Sequence, residues 1–203
     1  MPVKDAACLT LSGADGSGKT TTAKFLKAYF GSCVHWFRGT HIFASILSRF
    51  LSHFNAFKGD CNPYYGICVP DKLRFLWIHL EFWSLLPHLF TRFLLKKFCR
   101  FLICDRGILD FIVWIVVTLN KPSFLQSIYG SFLLRLVFRE RPIYLYADAD
   151  TLAKRADMPR EFVLKELAVY SILAKHLSLC SIDTGGQKPL KVIRGVLKCL
   201  ERR

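Results

Sequence analysis

Short apolar runs alternate with longer stretches of helical periodicity along the whole chain. The apolar runs are bounded by turn residues and predict buried strands at 7–11, 33–37, 101–104, 143–147 and 179–183. The periodic stretches predict helices at 20–30, 42–54, from 71 onward, and at 108–119, 150–156, 160–176 and 189–201. Continuous apolar strands separated by helices indicate an α/β fold: a five-stranded parallel sheet with helices on both faces.

The chain is expected to form one domain. Its 203 residues suit a single α/β unit with a sizeable core, and residues 1–203 contain no repeat or linker-like break. Residues 55–71 are rich in Gly, Pro, Asn and Tyr, so we expect an ordered loop there.

The chain is unusually apolar, with 52% hydrophobic residues and a mean hydropathy of +0.29. Its longest apolar segments, 82–91 and 111–120, are far shorter than the roughly 20 residues that span a bilayer. We expect no transmembrane helix and no signal peptide, and hence a cytoplasmic protein. Residues 73–100 fit two kinds of helix: one that lies at a membrane surface, and one that belongs to the core and has a basic outer end. We favour the core helix, with the basic end formed by Arg92, Lys96, Lys97 and Arg100.

The net charge of +14 favours polyanionic partners. No nucleic-acid-binding module is recognisable, so nucleic acid is not an expected partner, whereas phosphorylated small molecules fit the same charge. The eight cysteines show no C-x-x-C spacing, and most are expected to be free thiols inside apolar runs. Cys61 and Cys68 lie close together in a loop and are candidates for a cross-link, which in a cytosolic protein would indicate a hyperthermophilic source.

Residues 13–20, Gly-Ala-Asp-Gly-Ser-Gly-Lys-Thr, match the pattern G-x-x-x-x-G-K-[ST] and directly follow the first predicted strand. In this setting backbone N–H groups curl around the phosphates of a nucleoside triphosphate, and the next helix adds positive partial charge. Lys19 is expected to hold the β and γ oxygens, and Thr20 to ligate Mg²⁺ through its hydroxyl. The pattern predicts a P-loop NTPase fold of three layers, with ATP contacts from Gly13, Ala14, Gly16, Ser17, Gly18, Lys19, Thr20 and Thr21.

Polar residues follow each of the later predicted strands, where ligands bind in parallel sheets. Arg38 follows the second strand, Asp105 and Arg106 follow the third, and residues 183–187 follow the fifth. Asp105 ends an apolar strand, which is the setting of the acidic residue that holds hydrated Mg²⁺. Arg106 is expected to face the same cavity.

The order and spacing of these motifs resemble the thymidylate kinase family of nucleoside monophosphate kinases. The resemblance covers essentially the whole chain, except for the loop around Tyr64 and residues 124–138, which do not align. It implies an acceptor site in which Asp15 contacts the sugar 3′-hydroxyl, Arg38 and Arg106 clamp the phosphate, and an aromatic ring, here Phe75, stacks on the base.

The resemblance also implies the nucleotide side of the site. A short lid at residues 150–161 would bring Arg155 and Arg160 over the transferring phosphoryl group. Gly16 places no cation in the phosphate loop, so the lid must supply one. The loop after the fifth strand would lie against adenine through Thr184, Gly185, Gly186 and Gln187.

One position departs from the family pattern. The family has an arginine that reads thymine one helical turn after the stacking aromatic, and this chain has His79. A histidine lacks the planar fork and the permanent charge of arginine, so the preference for thymine is open.

The resemblance predicts direct in-line transfer of the γ-phosphoryl group of MgATP to a nucleoside monophosphate, with dTMP as the expected acceptor and dTDP as product. Lys19, Arg106 and a lid arginine would neutralise charge as the lid excludes water. Two alternatives stay open: a P-loop kinase for another small acceptor, and a membrane-surface nucleotide switch without an acceptor. We also expect a homodimer, although no motif in the chain argues for one.

Overall fold

The helices and strands largely follow the predicted order within residues 7–37 and 42–201, which the computed structural model describes. The strands are β1 (Ala7–Ser12), β2 (Cys33–Trp36), β3 (Lys58–Asn62), β4 (Phe101–Asp105), β5 (Ile143–Tyr146) and β6 (Ser181–Asp183). The helices are α1 (Lys19–Phe30), α2 (Ile42–Leu51), α3 (Arg74–Phe98), α4 (Ile108–Thr118), α5 (Ile128–Glu140), α6 (Ala149–Arg155), α7 (Arg160–His176) and α8 (Pro189–Glu201).

A five-stranded parallel sheet forms the centre of the fold, in the order β2-β4-β1-β5-β6. β1 is the middle strand: Leu9 pairs with Ile103 of β4, and Leu11 pairs with Ile143 of β5. All four side chains are fully buried because helices cover both faces of the sheet. The predicted α/β class and parallel sheet are therefore confirmed.

Helix α4 is the most deeply buried helix in the described part of the chain, since every one of its residues is buried. A helix that is apolar on all sides requires a partner on each face. α4 packs against α5 and α7 on one side of the sheet, while Leu26 of α1 and Val196 of α8 belong to the core on the other side. This burial fixes the start of α4, and with it the turn at residues 105–107 that enters the site.

Residues 55–71 are more ordered than the predicted loop. β3 makes antiparallel bridges to Ile67, and the resulting hairpin is closed by a disulfide between Cys61 and Cys68. The hairpin tip carries Tyr64 and Tyr65, whose rings pack on Trp114 of α4. The sequence of β3, Lys-Gly-Asp-Cys-Asn, lacks the alternation typical of strands, and so sequence periodicity gives no signal for it.

The prediction that most cysteines are free thiols is wrong. Only Cys8 and Cys104 are unbridged, and their sulfur atoms lie 3.2 Å apart on neighbouring strands. The fold brings distant parts of the chain together, which local sequence cannot show. The disulfides are Cys33–Cys99, Cys61–Cys68 and Cys180–Cys199.

Helix α3 continues through Pro87 for 25 residues. Its predicted basic outer end is confirmed in part: Lys96, Lys97 and Arg100 are exposed, but Arg92 is buried at 7% exposure. No helix in the described ranges combines the length and the apolar character that crossing a bilayer requires.

Candidate active site

A cleft of about 620 Å³ opens at the carboxyl ends of the parallel strands. One end is lined by the phosphate loop and by Gln187, Val192 and Ile193 at the start of the last helix. The other end is lined by Arg106, by Trp114 of α4 and by other aromatic and acidic side chains. The cleft therefore connects the phosphate loop with the cavity beside Arg106 and α4.

The glycines of the phosphate loop are required by its geometry. A Cβ at Gly13 would lie 2.1 Å from the carbonyl oxygen of Leu145. Gly16 has φ of 81°, and a Cβ there would lie 2.8 Å from the carbonyl oxygen of Leu152 and 3.1 Å from Cβ of Arg155. The loop thus packs directly against α6, and Arg155, one of the two predicted lid arginines, lies beside Gly16.

Lys19 is held inside the phosphate loop, with only 3% of its surface exposed. Its Nζ donates hydrogen bonds to the carbonyl oxygens of Gly13 at 2.6 Å and Ala14 at 2.8 Å. Burial, followed by the nearby charge of Arg106, lowers the pKa of Lys19. The ammonium is therefore fixed in orientation at the base of the cleft.

Thr20 and Asp105 lie together, as predicted, because β1 and β4 are neighbours. The Thr20 hydroxyl donates to Oδ2 of Asp105 at 2.6 Å. Oδ1 of Asp105 is buried and has no hydrogen-bond partner among the described residues. Burial raises the pKa of Asp105. A hydroxyl beside an unpartnered carboxylate oxygen is a donor set that suits Mg²⁺, a cation that prefers oxygen ligands.

Asp15 and Arg106 form the centre of the predicted acceptor site. Nη2 of Arg106 donates to Oδ1 of Asp15, and the Tyr64 hydroxyl donates to Oδ2. Burial alone would raise the pKa of Asp15, but the charges of Arg106 and Lys19 and the Tyr64 hydroxyl lower it to about 2. The Arg106 side chain remains 21% exposed and faces the cleft. The predicted partner Arg38 lies outside the described residues.

The two predicted lid arginines have different surroundings. Arg155 lines the cleft, and its Nη1 donates to the carbonyl oxygen of Thr184 at 3.3 Å. Arg160 pairs with Asp150 at 2.6 Å on the surface, 64% exposed, and does not line the cleft. Pro159 is the N-cap of α7 and separates the two arginines. Arg160 therefore lies outside the cleft in this structure, and its contact with the transferring phosphoryl group stays a prediction.

The predicted adenine loop adjoins the phosphate loop. The Thr184 hydroxyl donates to the carbonyl oxygens of Ser17 at 3.1 Å and Tyr146 at 2.9 Å. Thr184, Gln187 and Thr21 line the cleft, whereas Gly185 and Gly186 form the turn between them. The predicted adenine loop therefore lies at the end of the cleft beside the phosphate loop.

Phe75 and His79 do not line the cleft, in contrast to the prediction from the resemblance. Phe75 is 65% exposed, and its ring packs on His79, which in turn contacts Tyr129. The inward face of α3 carries a pair with the same spacing two residues later, Trp77 and Glu81, which are 4% and 0% exposed. The correction is one of helical phase: residues 75 and 79 lie on the outer face.

Three further residues of the site were not singled out from the sequence. Glu166 of α7 lines the cleft and accepts the backbone N–H of Asp15 at 3.0 Å. Burial, followed by the charge of Asp15, raises the pKa of Glu166 to about 7. Asp110 accepts from the Ser12 hydroxyl at 2.6 Å and from the Gly107 N–H at 2.7 Å. Asp110 lies three positions after the N-cap Gly107, where an acidic residue is a capping signal readable from sequence, whereas no local signal marks Glu166 or Tyr64.

No family model and no curated protein matches the sequence. Several solved structures resemble the fold along nearly the whole chain. Thymidylate kinase from Candida albicans is 18% identical, with a TM-score of 0.60, over 97% of this chain and 91% of that chain. Deoxyadenosine kinase from M. mycoides with bound dCTP is 13% identical, with a TM-score of 0.52, over 97% and 100%. The YorR protein from Bacillus subtilis, in complex with phosphorylated GDP, is 14% identical, with a TM-score of 0.56, over 96% of each chain. The chain therefore shares the overall fold of these solved structures.

Proposed function

We propose that this protein is a nucleoside monophosphate kinase that transfers the γ-phosphoryl group of ATP to a phosphate oxygen of its acceptor. The observation that carries the proposal is a second cationic group in the same cleft: Arg106 faces the cavity that also contains Lys19. A second cation beside Asp15, at the opposite side of the cleft from the predicted adenine loop, supports an acceptor that itself carries a phosphate.

The chain's own residues would act by positioning and by neutralising charge. The loop N–H groups and Lys19 would bind the ATP phosphates, while Arg106 would orient the acceptor phosphate for in-line attack. Arg155, next to Gly16, would face the transferring group. Thr20 and Asp105 would hold Mg²⁺, which when bound neutralises charge on the β and γ oxygens. No covalent intermediate with the enzyme is required.

The test is an ADP-release assay with MgATP against a panel of nucleoside monophosphates, with dTMP first because of the resemblance. We expect ADP release that depends on at least one monophosphate. The variant Lys19→Ala, purified in the same way, is the control for contaminating kinases. An absence of acceptor-dependent release from the wild type across the panel contradicts the proposal.

A second candidate is a nucleoside kinase, which phosphorylates a hydroxyl group. Glu166 favours it, because a buried carboxyl in the cleft with a pKa of about 7 is suited to accept a proton from a hydroxyl. One of the structural neighbours, the deoxyadenosine kinase, also bears a nucleoside kinase name. Nucleosides in the same panel separate the candidates, since ADP release with nucleosides alone would favour the second.

We further propose a homodimer formed through α2 and α3. These helices pack against each other and expose many large apolar side chains, including Phe43, Ile46, Phe50, Leu76, Trp83, Phe90 and Phe93. An apolar face of this kind marks an interaction surface, and pairing with a second copy would bury it. Light scattering should give a dimer mass for the wild type and a lower mass for Trp83→Glu. A monomeric wild type that sediments with anionic vesicles would instead favour the membrane-surface alternative.

The cytoplasm stays the expected location, because the proposed reaction needs ATP. Three disulfides fit this expectation only in particular organisms, since intracellular proteins of hyperthermophiles are disulfide-rich whereas most cytosolic proteins are not.

A further inference from the structure

A buried polar network lies beneath the turn that presents Arg106. Its centre is Arg92 of α3, 7% exposed, whose Nη1 donates to Oε1 of Glu140 at 2.9 Å. Nε of Arg92 donates to Nδ1 of His35 at 3.3 Å. Burial, followed by the charge of Arg92, lowers the pKa of His35 to about 4, so the ring is neutral and Nδ1 is free to accept.

The third contact of Arg92 reaches the candidate site. Its Nη2 donates to the backbone carbonyl oxygen of Arg106. Arg106 has φ of 77°, a left-handed conformation that non-glycine residues rarely adopt, and its N–H donates to Leu11 at 2.9 Å. A backbone of this kind persists only where its surroundings fix it, and such residues concentrate at functional sites.

Glu140 holds the other side of the same turn. Its Oε2 accepts the backbone N–H of Ile108 at 3.3 Å, and its Oε1 also accepts the Thr10 hydroxyl at 2.7 Å. Gly107 fits between these groups because it has no side chain: a Cβ would lie 2.5 Å from Thr10 and 2.9 Å from Glu140. Arg92 and Glu140 thus clamp the turn at residues 105–107 from below, while the Arg106 side chain points up to Asp15.

A buried ion pair is weak support for stability, because removing both charges from water offsets most of their attraction. The planar fork of Arg92 nevertheless serves three acceptors at once, on β2, on α5 and on the backbone of Arg106. A lysine, with one flexible ammonium, cannot reproduce that geometry. The Arg92 guanidinium therefore acts on the candidate site through its position, more than through its charge.

We propose that Arg92 is a positioning residue for the acceptor site: it fixes the left-handed backbone of Arg106 so that the Arg106 guanidinium meets the acceptor phosphate. This inference rests on the proposed function, because it needs Arg106 to bind the acceptor. It assigns to Arg92 no contact with either substrate.

The test is a double-mutant cycle on acceptor binding. The dissociation constants of dTMP, or of the best monophosphate from the panel, and of ATP are measured by calorimetry for wild type, Arg92→Lys, Arg106→Ala and the double variant. Arg92→Lys should weaken acceptor binding about tenfold, the size of one lost charge-assisted contact, and leave ATP binding unchanged. In the Arg106→Ala background the same substitution should have almost no effect, since the group it positions is missing.

Two controls separate positioning from general damage. Arg139→Lys makes the same substitution at an exposed site on α5, next to Glu140, and should behave as wild type. Glu140→Gln keeps the size of the side chain and should reproduce the acceptor-specific loss in weaker form, which keeps the test open if Arg92→Lys does not fold. Thermal unfolding of each variant verifies folding.

Two results would overturn the inference. An equal loss of acceptor binding in both backgrounds, or a parallel loss of ATP binding, would make Arg92 a structural residue only. If the folded wild type binds ATP but neither binds nor phosphorylates any monophosphate, the proposed function fails, and this inference fails with it. The first result arises on an active wild type and the second on an inactive one, so the two failures are distinguishable.

Discussion

Replacing Glu166 by glutamine should make the protein more stable at neutral and alkaline pH. The carboxyl is 4% exposed and accepts the Asp15 N–H at 3.0 Å. A glutamine amide oxygen can accept the same hydrogen bond in the same volume. The substitution therefore removes little besides the ability of residue 166 to ionise. Its effect on the free energy of unfolding measures the cost of ionising Glu166 inside the cleft.

The magnitude follows from the pKa. Burial and the charge of Asp15 raise the pKa of Glu166 from 4.5 to about 7 in the folded protein. Between these two values the folded state keeps a proton that the unfolded chain releases, so the free energy of unfolding falls as pH rises through this window. This shift in the pKa of Glu166 destabilises the folded wild type by about 3 kcal/mol. The destabilisation is present in full above pH 7 and absent below the pKa of the unfolded chain. Asp15, with a pKa of about 2, stays ionised throughout the window.

The assay compares urea unfolding of wild type and Glu166→Gln, with disulfides intact, at several pH values from about 4 to about 8. The difference in unfolding free energy between the two proteins should grow from near zero to about 3 kcal/mol in favour of the variant. The titration of His35 occurs in both proteins and cancels in this difference. Glu161→Gln on the exposed start of α7 is the matched control, without a comparable pH dependence.

A difference that does not change with pH would refute the raised pKa, and with it the assignment of Glu166 as a proton acceptor. The same variant also separates the two candidate reactions. A monophosphate acceptor is already ionised and needs no base, so a monophosphate kinase should keep most of its kcat in Glu166→Gln. A nucleoside kinase that uses Glu166 as its base should lose about 100-fold or more.

Four further substitutions test the positions of the site residues, each by steady-state kinetics. Lys19→Ala should lower kcat about 100- to 1000-fold, because one fixed cation at the phosphates is lost, and turnover near the wild-type value would exclude Lys19 from the site. Arg155→Ala should lower kcat while Arg160→Ala stays near wild type, and the reverse order would place the wrong arginine in the cleft. Tyr64→Phe should raise the acceptor KM about two- to tenfold, since its bond to Asp15 is lost, with the ATP KM unchanged. A change confined to the ATP KM would move Tyr64 to the nucleotide side.

The geometry of the phosphate loop could be predicted from sequence because it is local. The glycines, Lys19 and Thr20 lie within one short stretch, and the loop geometry follows from the residues themselves. Asp105 could be added because a strand end in a parallel sheet is a place where ligands bind, and β4 is indeed the neighbour of β1. These inferences need only the strand–loop–helix order and the parallel sheet.

The part of the candidate site around Asp15 and Arg106 could be predicted only in part, because it is assembled from distant segments. Tyr64 reaches Asp15 from a disulfide-closed hairpin without strand periodicity, and Glu166 reaches it from a helix 151 residues later in the chain. Neither residue belongs to a motif. Only the tertiary contacts of α4, α7 and the hairpin show that they share one cavity.

The error at α3 has a different cause. The search for an aromatic residue followed one turn later by a polar side chain is satisfied by Phe75 and His79, but also by Trp77 and Glu81. Two residues correspond to about 200° around a helix, so the pairs lie on nearly opposite faces. A helix as rich in phenylalanine and leucine on its exposed side as on its buried side carries no clear amphipathic signal. The exposed apolar side of α3 hides the helical phase in the sequence, and the proposed homodimer depends on the same side. The misplacement of Phe75 and His79 in the cleft and the expected interface therefore have one physical origin.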